Sequence, residues 1–424
     1  MSPKSKGRPK GRGRTPARRQ STRSTHDTHG ARRPVTELSA SRRILQESRI
    51  SLSDDQSLLA VRLVASAWVG AVWGARNMGA RDPEGALVTE LVGELGGRQG
   101  RAAYLALEAL QTIARDAWRD PLSTALARSD QPRPAWAREL DAPPAPERAQ
   151  FWSDPWGSET VYLLRYSLPE PHIVLVPIST VGGVMIQSIV VERDANPDET
   201  VGAMTHRGDI PGDEALAAVG DGLFQTDMYW PPQDDPDYIV NRAYAHWLTQ
   251  GHRRESDWDE VPDEKRQELL TAFQEEHGVR LPHDAQVVEL LADTFVDFGE
   301  GYLAGGVLGW SPGEVERFLL DWVQRKVILD PDDSAALPDV LREWVVFALQ
   351  RKGVAEADIE PVVAVVDDLA DDYRDDVGTS PKGPAAELLS RAMAEGIDLG
   401  DKEAMDRLIG AYNAEQHARR LLNE

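Results

Sequence analysis

The sequence predicts a predominantly α-helical α+β fold, in which helical N- and C-terminal domains flank a small antiparallel strand-rich domain. Apolar residues recur at helical spacing in both halves of the chain, whereas short runs of β-branched and aromatic residues are confined to residues 151–232. At 424 residues the chain is too long for one ordinary core, since domains usually hold about 100–200 residues. Several domains are therefore expected.

Residues 1–45 are predicted to be a disordered basic arm, because they are rich in small, polar and basic residues and nearly lack large apolar side chains. Residues 1–33 hold eleven Lys or Arg and one acidic residue, Asp27, which gives them a net charge of +10. The whole chain carries −23, so the rest of it carries −33. We expect polyanions to attract the arm and the acidic body to repel a nucleic-acid backbone.

A helical domain is predicted over residues 46–128, followed by a proline-rich linker over residues 129–150. The apolar segment Leu58–Ala75 is interrupted by Arg62 and is too short to cross a bilayer, which takes about 20 apolar residues. It is interpreted as a buried core helix. A second helix is predicted over Arg101–Ala127.

A small α+β domain is predicted over residues 151–232. Its strands are expected to form antiparallel hairpins, because the spacing between them is too short for helical crossovers; they are Thr160–Tyr166, His172–Ile178 and Gly183–Val191. The aromatic run 151–157 is interpreted as a loop, either packed on the sheet or serving as a recognition surface. A helix over Asp213–Tyr229 is expected to end before Pro231.

An acidic connector with a helix is predicted over residues 233–261, and a C-terminal helical domain over residues 262–424. Ser311 is expected to cap a helix whose first turn holds Pro312 and whose capping box is completed by Glu314. On that helix Trp322 is expected in the core. Another helix is predicted from Pro338 to Gly353, and the remaining predicted helices are Ala355–Tyr373, Pro384–Glu395 and Lys402–Leu422.

Part of the C-terminal half resembles a helical module of uncharacterised actinobacterial proteins. The matching residues are Trp310-Ser311-Pro312, Asp321–Val327, Leu337–Val345, Lys352-Gly353 and Gly383-Pro384-Ala385. With the strand region that precedes it, the resemblance covers about the last two-thirds of the chain. It implies a shared fold and no particular reaction. Where such proteins would carry an Asp-His-Asn-like triplet before paired glycines, this chain has Ser179-Thr180-Val181 followed by Gly182-Gly183.

The most specific short motif lies in the arm. The segment Lys6-Gly7-Arg8-Pro9-Lys10 resembles the core of an AT-hook, and Arg12 and Arg14 extend it. The resemblance implies that Arg8 enters the narrow minor groove of A·T-rich DNA while Lys6, Lys10, Arg12 and Arg14 contact phosphates. The other interpretation is a solubilising tail that binds any polyanion weakly.

Other polar clusters are interpreted as structural. His246 and His252 are six residues apart, as are His277 and His283, and this spacing places a pair on opposite faces of a helix rather than at a zinc site. Two rows of acidic residues each share one helix face and are expected to be exposed to solvent. One row is Asp293, Asp297 and Glu300, and the other is Asp367, Asp371 and Asp375. The sequence predicts no metal site and no cofactor, and it identifies no catalytic residue.

Two function classes remain open on the sequence. The favoured class is a cytoplasmic binding or regulatory protein that is not an enzyme. It would contact DNA or RNA through residues 1–33 and could also bind protein partners. The alternative is an enzyme or defence-type effector with a carboxylate-lined site between the α+β and C-terminal domains, using Asp293, Asp297 or Asp321. The basic start without an apolar segment predicts no secretory signal, and no membrane partner is expected. The chain has no cysteine, which excludes disulfides and thiolate chemistry.

Overall fold

A computed structural model describes most of the chain beyond residue 39. The described residues are 40–76, 82–95, 100–138, 142–193, 201, 204–252, 261–327, 329–377 and short pieces between 388 and 412. Residues 40–424 form one compact unit, to which every element below belongs. The predicted disorder of residues 1–39 concerns a segment outside the described residues and stays a prediction.

The predicted fold class is confirmed: helices dominate and enclose one antiparallel sheet. The N-terminal helices are α1 (Ala40–Ser51), α2 (Leu58–Gly74), α3 (Pro83–Leu95), α4 (Arg101–Gln111) and α5 (Asp116–Leu126). The strands are β1 (Arg148–Ser153), β2 (Glu159–Tyr166), β3 (His172–Ser179), β4 (Met185–Ile186), β5 (Val190–Glu192) and β6 (His206–Ile210). Helices α6 (Gly212–Met228) and α7 (Pro236–Leu248) follow the sheet.

The C-terminal helices begin with α8 (Asp263–Glu276) and α9 (Ala285–Tyr302). A broken helix comes next, made of α10 (Pro312–Arg317), a π-helical turn (Phe318–Trp322) and α11 (Val323–Lys326). Two long helices complete the array, α12 (Pro331–Lys352) and α13 (Glu356–Val377). The helices predicted over Pro384–Glu395 and Lys402–Leu422 lie largely outside the described residues.

The apolar segment that starts at Leu58 is the buried helix α2, as predicted. Its N-cap Ser57 accepts a hydrogen bond from the Ala60 N–H, and its one charged residue, Arg62, is buried with its guanidinium 4.0 Å from the ring centre of Trp247. In the part of the chain that the structure describes, no helix is both long and apolar enough to span a bilayer.

Two boundaries in the N-terminal region differ from the sequence prediction. Helix α1 begins at Ala40, inside the segment 1–45 assigned to the disordered arm, because Ile44 is buried in the core. The single helix predicted over Arg101–Ala127 is two helices, α4 and α5. Extended backbone at Arg115 separates them, and the turn buries Ile113.

The sheet is antiparallel, in the order β4-β3-β2-β1-β6, with β5 pairing with β3. The strands predicted at 160–166 and 172–178 are confirmed as β2 and β3. The third predicted strand, 183–191, is instead two short strands, β4 and β5. The run 151–157 is interpreted from the sequence as a loop, but its first three residues form the end of β1 and pair with both β2 and β6, while residues 154–157 form the turn that leads to β2.

The two faces of the sheet are buried differently. Leu164, Val174 and Val176 of the inner face pack in one continuous core with helices α1–α7. Trp152, Leu163 and other apolar residues of the outer face form a smaller cluster with Val201. The N-terminal helices and the sheet therefore pack around a common core.

A second core fills the C-terminal helices and is rich in aromatic rings. Phe298, Trp310, Phe318 and Trp322 contact one another with ring centres 5.0–5.5 Å apart where they pair. Trp322 is 7% exposed, which confirms that it belongs to the core.

Helix ends in this region are capped largely as the sequence predicts. The Ser311 hydroxyl accepts a hydrogen bond from the Glu314 N–H, and Gly353 ends α12 in the left-handed conformation with φ of 85°. The helix predicted to open at Pro338 opens instead at Pro331, and Pro338 lies inside it. Buried Leu337 and Pro338 itself pack in the core, which offsets the backbone hydrogen bond that a proline cannot make.

Candidate functional site

The residues predicted to contact nucleic acid lie outside the described residues. They are Lys6, Gly7, Arg8, Pro9, Lys10, Arg12 and Arg14, so their role stays a prediction.

One predicted acidic row joins two helices. Arg266 of α8 forms ion pairs with Asp293, Asp297 and Glu300 of α9, at 2.6, 2.6 and 2.8 Å. A guanidinium has enough donors to bind several carboxylates at once. These carboxylates are therefore held by a cation of the same chain.

Asp321 and Asp367, the other carboxylates discussed from the sequence, are likewise ion-paired with arginines. Asp321 binds Arg325 one helical turn away, and Asp367 of α13 lies 3.2 Å from Arg342 of α12. Among the described residues, no group of three or more His, Asp or Glu has an arrangement suited to a metal ion.

The histidines that the sequence pairs by spacing do not meet each other in the described structure. His277 contacts Glu343 at 2.9 Å and His283 contacts Asp339 at 3.1 Å, and both carboxylates belong to α12. His246 contacts Asp227 of α6 at 2.9 Å. His246, His277 and His283 therefore each connect two parts of the fold through a carboxylate.

The contact of His246 belongs to a buried charged cluster that sequence reasoning missed, which we call the Arg242 cluster. Its members come from five helical elements and are Arg76, Glu84, Arg115, Asp227, Tyr238, Arg242 and His246. Arg242 is only 4% exposed and lies on the face of α7 that also carries Tyr238 and His246. A charged residue one turn after Tyr238 on this face was the available sequence signal.

Asp227 lies at the centre of this cluster. Its Oδ1 accepts hydrogen bonds from the Tyr238 hydroxyl at 2.9 Å and from Arg242 Nε at 2.7 Å. Its Oδ2 contacts Arg242 Nη2 at 2.5 Å and His246 Nε2 at 2.9 Å. Both oxygens are therefore occupied, so this carboxylate has little capacity left to act as a general base.

The second carboxylate of the cluster comes from α3. Glu84, which is buried, binds Arg242 through one oxygen and lies 3.1 Å from Arg115 through the other. The ring of Trp73 lies between two guanidinium groups, 3.8 Å from that of Arg76 and 4.6 Å from that of Arg242. These contacts tie α2, α3 and α5 to α6 and α7.

Burial and pairing set the protonation states inside the cluster. Burial alone would raise the pKa of Asp227, but hydrogen bonds from His246 and Arg242 hold that pKa well below its usual range. Burial lowers the pKa of His246, and the nearby Arg242 lowers it further, against the opposing effect of Asp227. At neutral pH the cluster therefore contains an ionised Asp227 and a neutral His246.

A separate polar contact, outside the Arg242 cluster, connects the sheet region to the C-terminal helices. The buried carboxylate of Glu314 accepts a hydrogen bond of 3.0 Å from the Gly182 N–H, although the sequence assigns it to a capping box with Ser311. Burial raises the pKa of Glu314, and the bond from Gly182 partly offsets this. Gly183 has φ of 118°, and a Cβ there would overlap the Tyr229 hydroxyl, so a side chain is excluded.

The polar residues before these glycines also make internal contacts. The Ser179 hydroxyl donates to Glu159 at 2.5 Å, and the Thr180 N–H donates to the Ser158 carbonyl at 2.7 Å. The loop is thus held by its own hydrogen bonds, which gives these side chains a structural role.

Comparisons of the chain with models of known families, with curated proteins and with solved structures found no match. The resemblance to actinobacterial proteins therefore stays a prediction. The residues that carry it between 310 and 345 lie in α10, the π-helical turn, α11 and α12.

Proposed function

We propose that this chain is a non-enzymatic binding or regulatory protein that attaches to nucleic acid through its basic residues 1–33. The observation that carries the proposal is the separation of charge, +10 in these residues against −33 in the rest of the chain. Lysine and arginine bind phosphates with release of counterions, which gives a basic segment affinity for nucleic acid. A cytoplasmic location is part of the proposal, in keeping with a chain that has no cysteine.

The motif around Arg8 supports DNA as the form of nucleic acid. Glycine lets the backbone of Gly7-Arg8-Pro9 approach the groove floor, and arginine is favoured by the negative potential of a narrow minor groove. A·T-rich duplexes are therefore the expected targets.

The pairing of the carboxylates supports a non-enzymatic role. The alternative, an enzyme or defence-type effector, would use Asp293, Asp297 or Asp321. Each of these carboxylates is ion-paired with an arginine of the C-terminal helices. A general acid or base must be free to exchange a proton with a substrate. The enzymatic alternative therefore has less support.

The test is fluorescence anisotropy of the full-length protein on A·T-rich and G·C-rich duplexes at about 50 and 200 mM salt, a range over which phosphate-driven binding weakens steeply. Arg8→Ala is compared with Arg23→Ala, which removes the same charge from the arm outside the motif. We expect Arg8→Ala to weaken binding to A·T-rich DNA more than to G·C-rich DNA, and Arg23→Ala to weaken both equally and slightly.

Two results would count against the proposal. Equal, slight effects of both substitutions would reduce the motif to a general basic tail. No binding by the intact protein at low salt would remove nucleic acid as the partner.

A further inference from the structure

The outer face of the sheet carries three arginines, one on the central strand β2, one on its neighbour β1 and one on the edge strand β6. Strand alternation places Arg148 of β1 and Arg165 of β2 on the same face as buried Trp152 and Leu163. Arg207 of the edge strand β6 pairs with Trp152 and so lies on that face as well. We call this group the outer-face arginines.

Their arrangement is unfavourable for the sheet alone. The register places Arg148 directly opposite Arg165, and like charges in such a cross-strand pair are destabilising. Asp209 binds Arg148 through both oxygens, at 2.8 and 3.1 Å. Arg165 and Arg207 are exposed and form no ion pair within the described parts of the chain.

The nearest acidic residues of this face leave the edge positively charged. Asp209 is the one carboxylate among the described residues of β1 and β6. By strand alternation Glu159 and Glu192 also lie on the outer face. Glu159 is at the other end of β2, bonded to Ser179, whereas Glu192 of β5 lies level with Arg165, two strands away and beyond Ile173. Within the part of the chain that the structure describes, the outer-face residues of β1 and β6 thus carry a net positive charge, on a chain whose residues after 33 carry −33.

A shallow groove of about 300 Å³ is lined by Arg148 and Arg207, and Arg165 lies outside its lining. Its walls include the side chains of Arg148, Gln150, Trp152, Arg207 and Asp209. Guanidinium groups donate paired hydrogen bonds that match the geometry of phosphate oxygens. Gln150 adds an amide donor at the same place.

We propose that the outer-face arginines bind phosphate groups. The phosphates come either from the backbone of the nucleic acid that the basic arm holds or from a free phosphate compound. The first source rests on the proposed function, and the second does not. Because Asp209 already compensates the charge of Arg148, a bound phosphate would chiefly compensate the charges of Arg165 and Arg207.

The test uses the full chain and the double variant Arg165→Gln/Arg207→Gln, which leaves the Arg148–Asp209 pair intact. The matched control is Arg128→Gln/Arg280→Gln, which removes two exposed arginines outside the sheet and gives the same net charge. A third variant, Lys6→Gln/Arg8→Gln/Lys10→Gln, changes the arm alone. Anisotropy on a labelled A·T-rich duplex is measured across salt concentrations.

If the duplex is the source, the Arg165→Gln/Arg207→Gln variant binds it more weakly, and its log–log salt slope is shallower by about 1–2, at about 0.9 for each lost phosphate contact. The Arg128→Gln/Arg280→Gln control keeps the wild-type slope. Inorganic pyrophosphate is the probe for binding of a free phosphate compound. Mass spectrometry measures whether pyrophosphate protects Arg165 and Arg207 of the full chain from modification by the arginine reagent phenylglyoxal. Either the slope change or the protection supports the proposal and identifies the source.

Wild-type slope together with no protection would overturn the proposal. A loss of thermal stability with unchanged binding would overturn it too, because the arginines would then be paired with carboxylates of this chain. The arm variant separates the two ideas. If it binds DNA as the wild type does, the proposed function fails, while pyrophosphate protection can still establish the arginine site.

Discussion

Asp227 is the residue on which the Arg242 cluster depends, because its carboxylate accepts hydrogen bonds from three side chains of α7. A buried ion pair adds little net stability compared with apolar residues, but removing one partner leaves the other charge buried and uncompensated. The cluster thus contributes more to fixing how the five helical elements are arranged than to the net stability of the fold.

Substitution of Asp227 by Asn should lower the free energy of unfolding by about 3–5 kcal/mol, because the buried Arg242 then loses one of its two carboxylate partners. Chemical denaturation measures the change, and Asp120→Asn on the exposed side of α5 is the control. A variant as stable as the wild type would show that Glu84 alone neutralises Arg242.

His246 should make stability depend on pH. Its folded pKa lies below the unfolded value of about 6.5, so the unfolded chain takes up a proton first as the pH falls. Its contribution is fully present above about pH 6.5 and decreases below that value, by at most ~1.4 kcal/mol per pH unit. His246→Gln should reduce the loss of stability between about pH 7.5 and 5.5.

Thermal melts of wild type and His246→Gln across this range measure the effect. His172 also has a pKa lowered by burial, so part of the pH dependence should survive in the variant. His206→Gln on the exposed edge strand controls for removal of a histidine from the surface. Parallel pH profiles of wild type and His246→Gln would contradict the assignment.

At the scale of elements, α2 and α7 approach each other closely. The Ser66 hydroxyl donates to the Val240 carbonyl at 2.7 Å and accepts from the Tyr244 N–H at 3.0 Å, so it is inserted into the hydrogen-bond ladder of α7. One turn later, Gly70 has no space for a side chain, because a Cβ there would overlap the Ile239 carbonyl.

Gly70→Ala should therefore destabilise the protein, although alanine is normally the better helix former by about 1 kcal/mol. The overlap is with backbone, so α2 and α7 must separate, and overpacking of this kind typically costs about 1–3 kcal/mol. Gly93→Ala in α3 is the matched control, since a Cβ there meets nothing within 4 Å and should be neutral or stabilising. Thermal midpoints of the two variants should move in opposite directions.

Elements differ in how far the sequence specifies them. Helix α10 is marked by Ser311 and Pro312, which act within a few residues of each other, and the end of α12 is marked by Gly353. Strand β6 carries no comparable pattern, since three of its five residues are polar or charged and exposed. Its pairing with β1 is decided by a partner more than fifty residues earlier in the chain.

For the whole molecule, the boundary of the folded unit is a prediction that deletion can test. Removal of residues 1–39 should leave the thermal midpoint nearly unchanged, because a basic segment with very few large apolar residues contributes little buried surface. Removal of residues 1–45 should lower it, because Ile44 is buried in the core, and burial of such a side chain contributes about 1.5–3 kcal/mol. Equal midpoints for both deletions would contradict the position of α1.

The sequence by itself determined the fold class, the buried character of α2, strands β2 and β3, the core position of Trp322 and the division of charge between the first 33 residues and the rest. Each of these follows from composition or from a pattern within a few residues. Only the tertiary structure decided that Asp227, Glu84 and Arg242 meet, and that Arg148, Arg165 and Arg207 share one face. Those groupings join residues far apart in the chain, and strand register and helix packing set them, so no local pattern contains them.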